Sequence, residues 1–198
     1  STSYFQYKMQ PMGYEYDLIN DFAKSQGLKL NIKVAENPAR LIEMLEAGEA
    51  DVVAYPIPIN NKLKQEVIYC GREDISSQVL IQRANKGDKL LTDVTQLIDK
   101  NVYVKPNTKY SERLKNLDEE LGGGIHIQKV ENDSIATEDL IEMVSLCEIP
   151  YTISDDNTAR LNKTYYWNIN VDLKVSFPQR SSWVVRKPSP DLAKSIDE

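Results

Sequence analysis

Residues 41–44 read Leu-Ile-Glu-Met, and residues 140–143 read Leu-Ile-Glu-Met again. The identity lies inside a gapless alignment of 41–55 on 140–154, at an offset of 99 in a chain of 198 residues. Each copy reads as the end of an amphipathic helix, a tight turn and a short strand. An offset of half the chain predicts two similar α/β lobes, because solenoid repeats recur every ~20 to 50 residues. Two lobes imply a cleft between them, and such clefts bind ligands.

A chain of this length buries roughly 70% of its extended surface and needs no metal or disulfide staple. Its composition, 41% apolar and 27% charged, is that of an ordinary globular protein, and no apolar run reaches the ~18 residues that span a bilayer. The net charge of −6 and the scattered Lys and Arg residues disfavour nucleic acid. With one His, at 126, and two cysteines, Cys70 and Cys147, no metal or cofactor is called for. Both cysteines are expected to be small buried hydrophobes in different lobes. His126 falls in the alternating run Ile125–Val130 and is expected on the polar face of a strand. The abrupt opening at Ser1-Thr-Ser-Tyr suggests a trimmed or mature fragment.

Helical spacing of Tyr14, Leu18, Ile19 and Phe22 predicts a helix from Gly13 to Gln26, stopped by Gly27. Leu28–Val34 alternates strictly and predicts a strand. Asn37-Pro38 opens a helix that Gly48 ends, and Asp51–Tyr55 is a strand broken by Pro56 and Pro58. Further strands are expected at 66–69, 76–83, 102–104, 125–130, 151–154, 171–175 and 182–187. Further helices are expected at 108–121, from Thr137, at 156–165 and from Pro190, with an Asp93/Gln96 capping box on a short one. Alternating strands and helices predict an α/β fold of two mostly parallel sheets with flanking helices. Residues 1–82 with 177–198 form lobe 1 and residues 83–176 lobe 2, so two crossing segments make a hinge.

The run from Pro11 to Leu30 resembles the opening of type 2 periplasmic solute-binding proteins, the family-3 amino-acid binders of ABC importers. Within that group, Thr2-Ser-Tyr-Phe, Asp139–Val144 and Glu148–Asn157 are similar to the N-terminal domain of the membrane-bound lytic transglycosylase F family. The likeness covers nearly the whole chain. It implies a bilobal fold, a first strand ahead of Ser1, and a separate catalytic domain that cleaves peptidoglycan at the outer membrane. Lytic transglycosylases use one Glu in a Glu-Ser pair, and no Glu-Ser pair occurs here. The fragment is therefore expected to be catalytically silent.

The same resemblance implies site residues. Asp155, at a lobe-2 strand end, matches the Asp that pairs with a ligand ammonium, a charge-assisted hydrogen bond. The alternative is that it merely caps the following helix. Asn107 and Thr108, before the next helix, match the loop that holds a ligand carboxylate on helix N-terminal amides, against an ordinary N-cap. Lys109 and Tyr110 are placed to reach over the cleft. Importers carry a Thr-x-x-Arg segment in lobe 1; here it is Asn60-Asn-Lys-Leu63, with Leu63 where the Arg falls. Lys62, Lys64 and Arg72 are the candidate substitutes, Asn60 and Ser76 further contacts, and Tyr4, Phe5 and Tyr55 candidate aromatic walls.

The reading is a periplasmic sensor domain closing on an amino acid or peptidoglycan-derived peptide and biasing a C-terminal catalytic domain. The alternatives are a free importer-associated binder, a solute-binding fold turned lyase, and a ligand-free interaction module. Asp155 and Asp156 are not a glycosidase pair, since adjacent residues at a strand end face opposite ways.

Overall fold

The computed structural model describes residues 5–7, 10–36, 38–132 and 134–198. In chain order the first elements are β1 (Phe5–Tyr7), β2 (Gln10–Met12), α1 (Tyr14–Ser25), α2 (Pro38–Glu46), β3 (Val52–Pro58) and β4 (Val67–Ser76). There follow β5 (Gln78–Arg83), β6 (Asn101–Val104), α3 (Lys109–Glu120), β7 (His126–Lys129) and α4 (Thr137–Ser145). The last are β8 (Tyr151–Asp155), α5 (Asp156–Lys163), β9 (Ile169–Asn170), β10 (Gln179–Arg186) and α6 (Pro190–Asp197). They form two units, one of Ser1–Ile75 with Arg180–Glu198 and one of Ser76–Gln179.

The repeat is reproduced bond for bond. In the first copy, Ala47 N donates to Glu43 O at 2.9 Å, Gly48 N to Leu45 O at 3.2 Å and Glu49 N to Met44 O at 2.9 Å. In the second, Leu146 N donates to Glu142 O at 2.9 Å, Cys147 N to Val144 O at 3.2 Å and Glu148 N to Met143 O at 2.9 Å. Both helices thus end in the same left-handed turn, with φ +72° at Gly48 and +67° at Cys147. This corrects the expectation for Cys147, which is exposed and occupies a position that favours glycine. Cys70 is buried as expected, and burial, with the Asp197 charge adding, pushes its thiol up to about 12. Equivalent substitutions should therefore act with opposite sign. Gly48→Ala is expected to cost about 1–2 kcal/mol, its new Cβ lying 3.3 Å from Arg186 Nη1, and Cys147→Gly to stabilise by about 0.5–1 kcal/mol. Paired thermal unfolding curves check both signs.

In the first unit, three strands run in the order β3-β10-β4, β10 antiparallel to β3. Leu45, Val53, Ile57, Val67 and Val184 form its core, with Cys70, Val185 and Ala193 behind. α1 buries Ile19 and Ala23, and Glu15 and Asp17 sit in its first turn, where the helix dipole favours negative charge. Contrary to expectation, β3 runs on through Pro56 to Pro58. It is an edge strand with a register shift opposite Ser182 to Val184, the settings that tolerate a missing N–H.

Leu28–Val34, expected as a strand, joins no ladder among the described residues. Its alternation is intact but Leu28 is 56% and Val34 70% exposed, since no strand among the described residues pairs with its backbone or covers its apolar face. Together with Val52–Tyr55 it walls a cavity of about 660 Å3 into which Ile19, Phe22, Leu41 and Met44 also face.

The second unit is a five-stranded sheet in the order β7-β6-β8-β5-β9. β6 is parallel to β7 and β8, whereas β5 is antiparallel to β8 and β9. This sheet is mixed rather than mostly parallel because β5 runs against both its neighbours, and in the first unit β10 likewise runs against β3. β5, assigned to lobe 1 from sequence, pairs within the second unit. The expected strand at 171–175 is reduced to a bridge at Lys174 plus bonds from Leu80 N to Leu173 O and from Val175 N to Gln78 O, and β9 precedes it. One face of this sheet packs Leu80, Leu97, Val102, Val104, Leu114, Leu117 and Ile153, and the other Val79, Ile81, Leu140, Ile141 and Val144. His126 is exposed on β7 as expected.

Candidate functional site

β6 and β8 are parallel neighbours, so both end at the same edge of the sheet, and α3 and α5 both start there. That edge is where open α/β sheets place ligands. Asp155 ends β8 and stands at the N-cap of α5, yet its side chain makes no capping bond. Instead its Oδ2 accepts from Lys109 Nζ at 2.5 Å and from Tyr110 OH at 3.0 Å. The Lys109 ammonium also lies 5.4 Å from the centre of the Tyr110 ring. The Lys109 and Asp155 side chains are 30% and 19% exposed, so the pair is partly shielded rather than buried.

The loop between β6 and α3 is fixed locally. Thr108 caps α3 in a reciprocal box, its Oγ1 accepting from Ser111 N at 3.2 Å while Ser111 Oγ accepts from Thr108 N at 3.1 Å. Asn107 takes the left-handed conformation, φ +56°, that turns the chain into the helix. The Thr108 hydroxyl, which also donates to Lys105 O at 2.8 Å, is thus engaged as a cap.

Gln78 is paired directly with Asp155 across the β5–β8 ladder, which puts both side chains on one face of the sheet. Gln78 is 1% exposed and its Oε1 is buried without a hydrogen-bond partner. A buried acceptor left unpaired costs about 1–3 kcal/mol, so its retention beside Asp155 calls for a functional account.

In the first unit the candidates are dispersed. Asn60 Oδ1 accepts from Leu63 N at 2.9 Å and holds a short 3-10 turn, Leu63–Gln65. Leu63, at the position of the importer Arg, packs with Tyr55 and Tyr69 against the core. Lys62, Lys64 and Arg72 are exposed, and Ser76, the first residue of the second unit, is half-buried at the end of β4. Phe5 lies in β1, its side chain outside the described part, and Tyr4 lies outside the described residues. The bidentate partner of a carboxylate in this unit is Arg180 of β10, joined through both Nε and Nη2 to Glu73, whose carboxyl it holds below the usual range. Arg180 follows no motif, and neither it nor Gln78 is legible in the sequence. Among the described residues no three His, Cys, Asp or Glu side chains are grouped to hold a metal, and no helix is long and apolar enough to cross a membrane.

Such a chain, two α/β units each built on its own sheet, is of the solute-binding class. It belongs to the bacterial extracellular solute-binding proteins, family 3, whose sequence profile matches residues 2–198. It is 32% identical over its full length to a membrane-bound lytic murein transglycosylase F of Desulfosudis oleivorans, of which it covers 42%. It is 26% identical over 93% of its length to the protein of that name from Pseudomonas fluorescens, covering 37% of it. The chain therefore spans about two fifths of these curated relatives and corresponds to their solute-binding part. Among solved structures, a mutant of the arginine-binding protein ArgBP from T. maritima superposes with a TM-score of 0.79 at 20% identity, over 99% of this chain and 81% of that one. An ancestral arginine-binding protein bound to arginine gives 0.78 at 18% identity, over 99% and 84%. At these identities the likeness establishes the fold, that of type 2 solute-binding proteins.

Proposed function

We propose that the chain is the ligand-sensing domain of a periplasmic protein similar to lytic transglycosylase F, taking an amino acid or a short peptidoglycan-derived peptide by its ammonium group. The observation that carries the reading is the Asp155 carboxylate, held at the ligand-binding edge of the sheet yet not spent on capping α5. The Lys109 and Tyr110 side chains beside it complete a polar cluster of the kind that orients a small ligand. Ligand occupancy would then bias a catalytic domain elsewhere in the longer protein, at the outer membrane, to the extent that its two states differ in affinity.

A second reading, an amino-acid binder serving an importer, is favoured by the likeness to arginine-binding proteins. Leu63 in place of a carboxylate-clamping Arg weighs against it, since an apolar side chain packed on the core cannot form a bidentate bond.

Thermal unfolding of the chain against free amino acids and short muropeptides tests the proposal. A ligand at ~100 times its Kd adds ~2.7 kcal/mol, a rise of about 5–11 °C at this size. The rise is expected for an amine-bearing ligand and is expected to vanish in Asp155→Ala. If no compound moves the transition, the domain is not a sensor of this ligand class.

A further inference from the structure

We propose that Asp155 and Tyr110 form a site for a primary ammonium whose resting occupant is the chain's own Lys109, so that ligand binds by exchanging one ammonium for another. The inference rests on the reading of Asp155 as the ligand anchor and adds to it the identity of the competitor. Three observations carry it. The first is chemical: a carboxylate oxygen at 2.5 Å and an aromatic ring centred 5.4 Å away are the two elements that bind alkylammonium groups, and here both meet the Lys109 Nζ. The second is that Asp155 makes no cap to its own helix, so the carboxylate is available to a cation without loss to the fold. The third is the buried Oε1 of Gln78 on the same face, an acceptor that Lys109 leaves without a donor.

Lys109 is a fit competitor because it is weakly tied. It occupies the first position of α3, beyond the cap, and its ammonium is a compact charge on a flexible four-carbon stem. A partly exposed pair of this kind contributes about 1 kcal/mol, enough to hold the site most of the time and little enough to be displaced. Apparent ligand affinity is then the intrinsic affinity reduced by the fraction of time that the site stands open. Lys109 sets a threshold concentration and discriminates against ligands whose amine is their sole anchor.

The test is calorimetric titration of the wild-type chain, Lys109→Met, Lys109→Gln and Asp155→Ala with L-arginine, L-glutamine and L-alanine, and with their N-acetylated forms. Removing the competitor is expected to tighten binding of at least one free amine about fivefold in both Lys109 variants, with no gain for its N-acetyl form. In parallel, acylation of the Lys109 amine in the wild type is expected to rise when that amino acid saturates the protein, as read by peptide mass spectrometry. If both Lys109 variants bind as the wild type does, or more weakly, while Asp155→Ala abolishes binding, the anchor stands and the exchange is wrong. If Asp155→Ala leaves binding intact, the underlying assignment of the anchor fails instead. Absence of binding to wild type and both Lys109 variants alike overturns the exchange and the ammonium site together.

Discussion

Gln82→Leu is expected to destabilise the chain by about 2–5 kcal/mol, although the substitution makes the core more apolar. Gln82 is 2% exposed in the middle of the second unit's sheet. Its amide closes a two-bond ring with the backbone of Leu91, Nε2 donating to Leu91 O at 2.9 Å and Oε1 accepting from Leu91 N at 2.8 Å. Leu91 is itself buried at 7% exposure, so water has little access to the freed groups. Leucine would strand one buried donor and one buried acceptor, each costing about 1–3 kcal/mol. A denaturant midpoint measured for both chains gives the difference, and hydrogen exchange at Leu91 should accelerate in parallel. A loss below ~1 kcal/mol would mean that the loop carrying Leu91 rearranges to find other partners.

Leu140→Ala is expected to cost about 2–5 kcal/mol, and the equivalent Leu41→Ala distinctly less. The two leucines occupy the same place in the repeat, at an offset of 99. Leu140 is fully buried between α4 and the sheet, against Ile81, Ile141 and Val144. Leu41 is half-buried and borders the open cavity beside residues 28–36, so truncation there removes fewer contacts and creates little new void. Equal losses at the two positions would imply that the cavity is closed in solution.

The helices and the repeat were legible because their signals are local. A period of 3.6 with a stop at Gly27 or Gly48 fixes α1 and α2, and the Thr108 cap fixes the start of α3, without reference to the rest of the chain. Leu28–Val34 failed for the opposite reason: a strand exists through its neighbour, and alternation says nothing about whether one is present. Pro56 misled in the same way, since proline breaks a central strand and is tolerated at an edge, and position in the sheet is a property of β10, which lies more than a hundred residues on. At the candidate site, Asp155, Lys109 and Tyr110 were each expected, but as separate ligand contacts. That Lys109 and Tyr110 both bond to Asp155 depends on β6 and β8 being parallel neighbours, which no pattern within either strand encodes. Gln78 was missed because a glutamine in a buried strand carries no signal until its partner across the ladder is known.

The position of β10 bears on synthesis. It is the middle strand of its sheet, yet it is made after the whole of residues 76–179, which form their own unit without interruption. At ~5–20 residues per second, the ribosome needs on the order of 5–20 s to translate the intervening ~100 residues. Throughout that interval β3 and β4 have no strand between them, and their bonding edges and the apolar side chains of Val53 and Val67 are exposed to other nascent chains. The second unit can finish folding while the first waits, so translation stalled before β10 should leave a half-folded product that is a preferred client of holding chaperones.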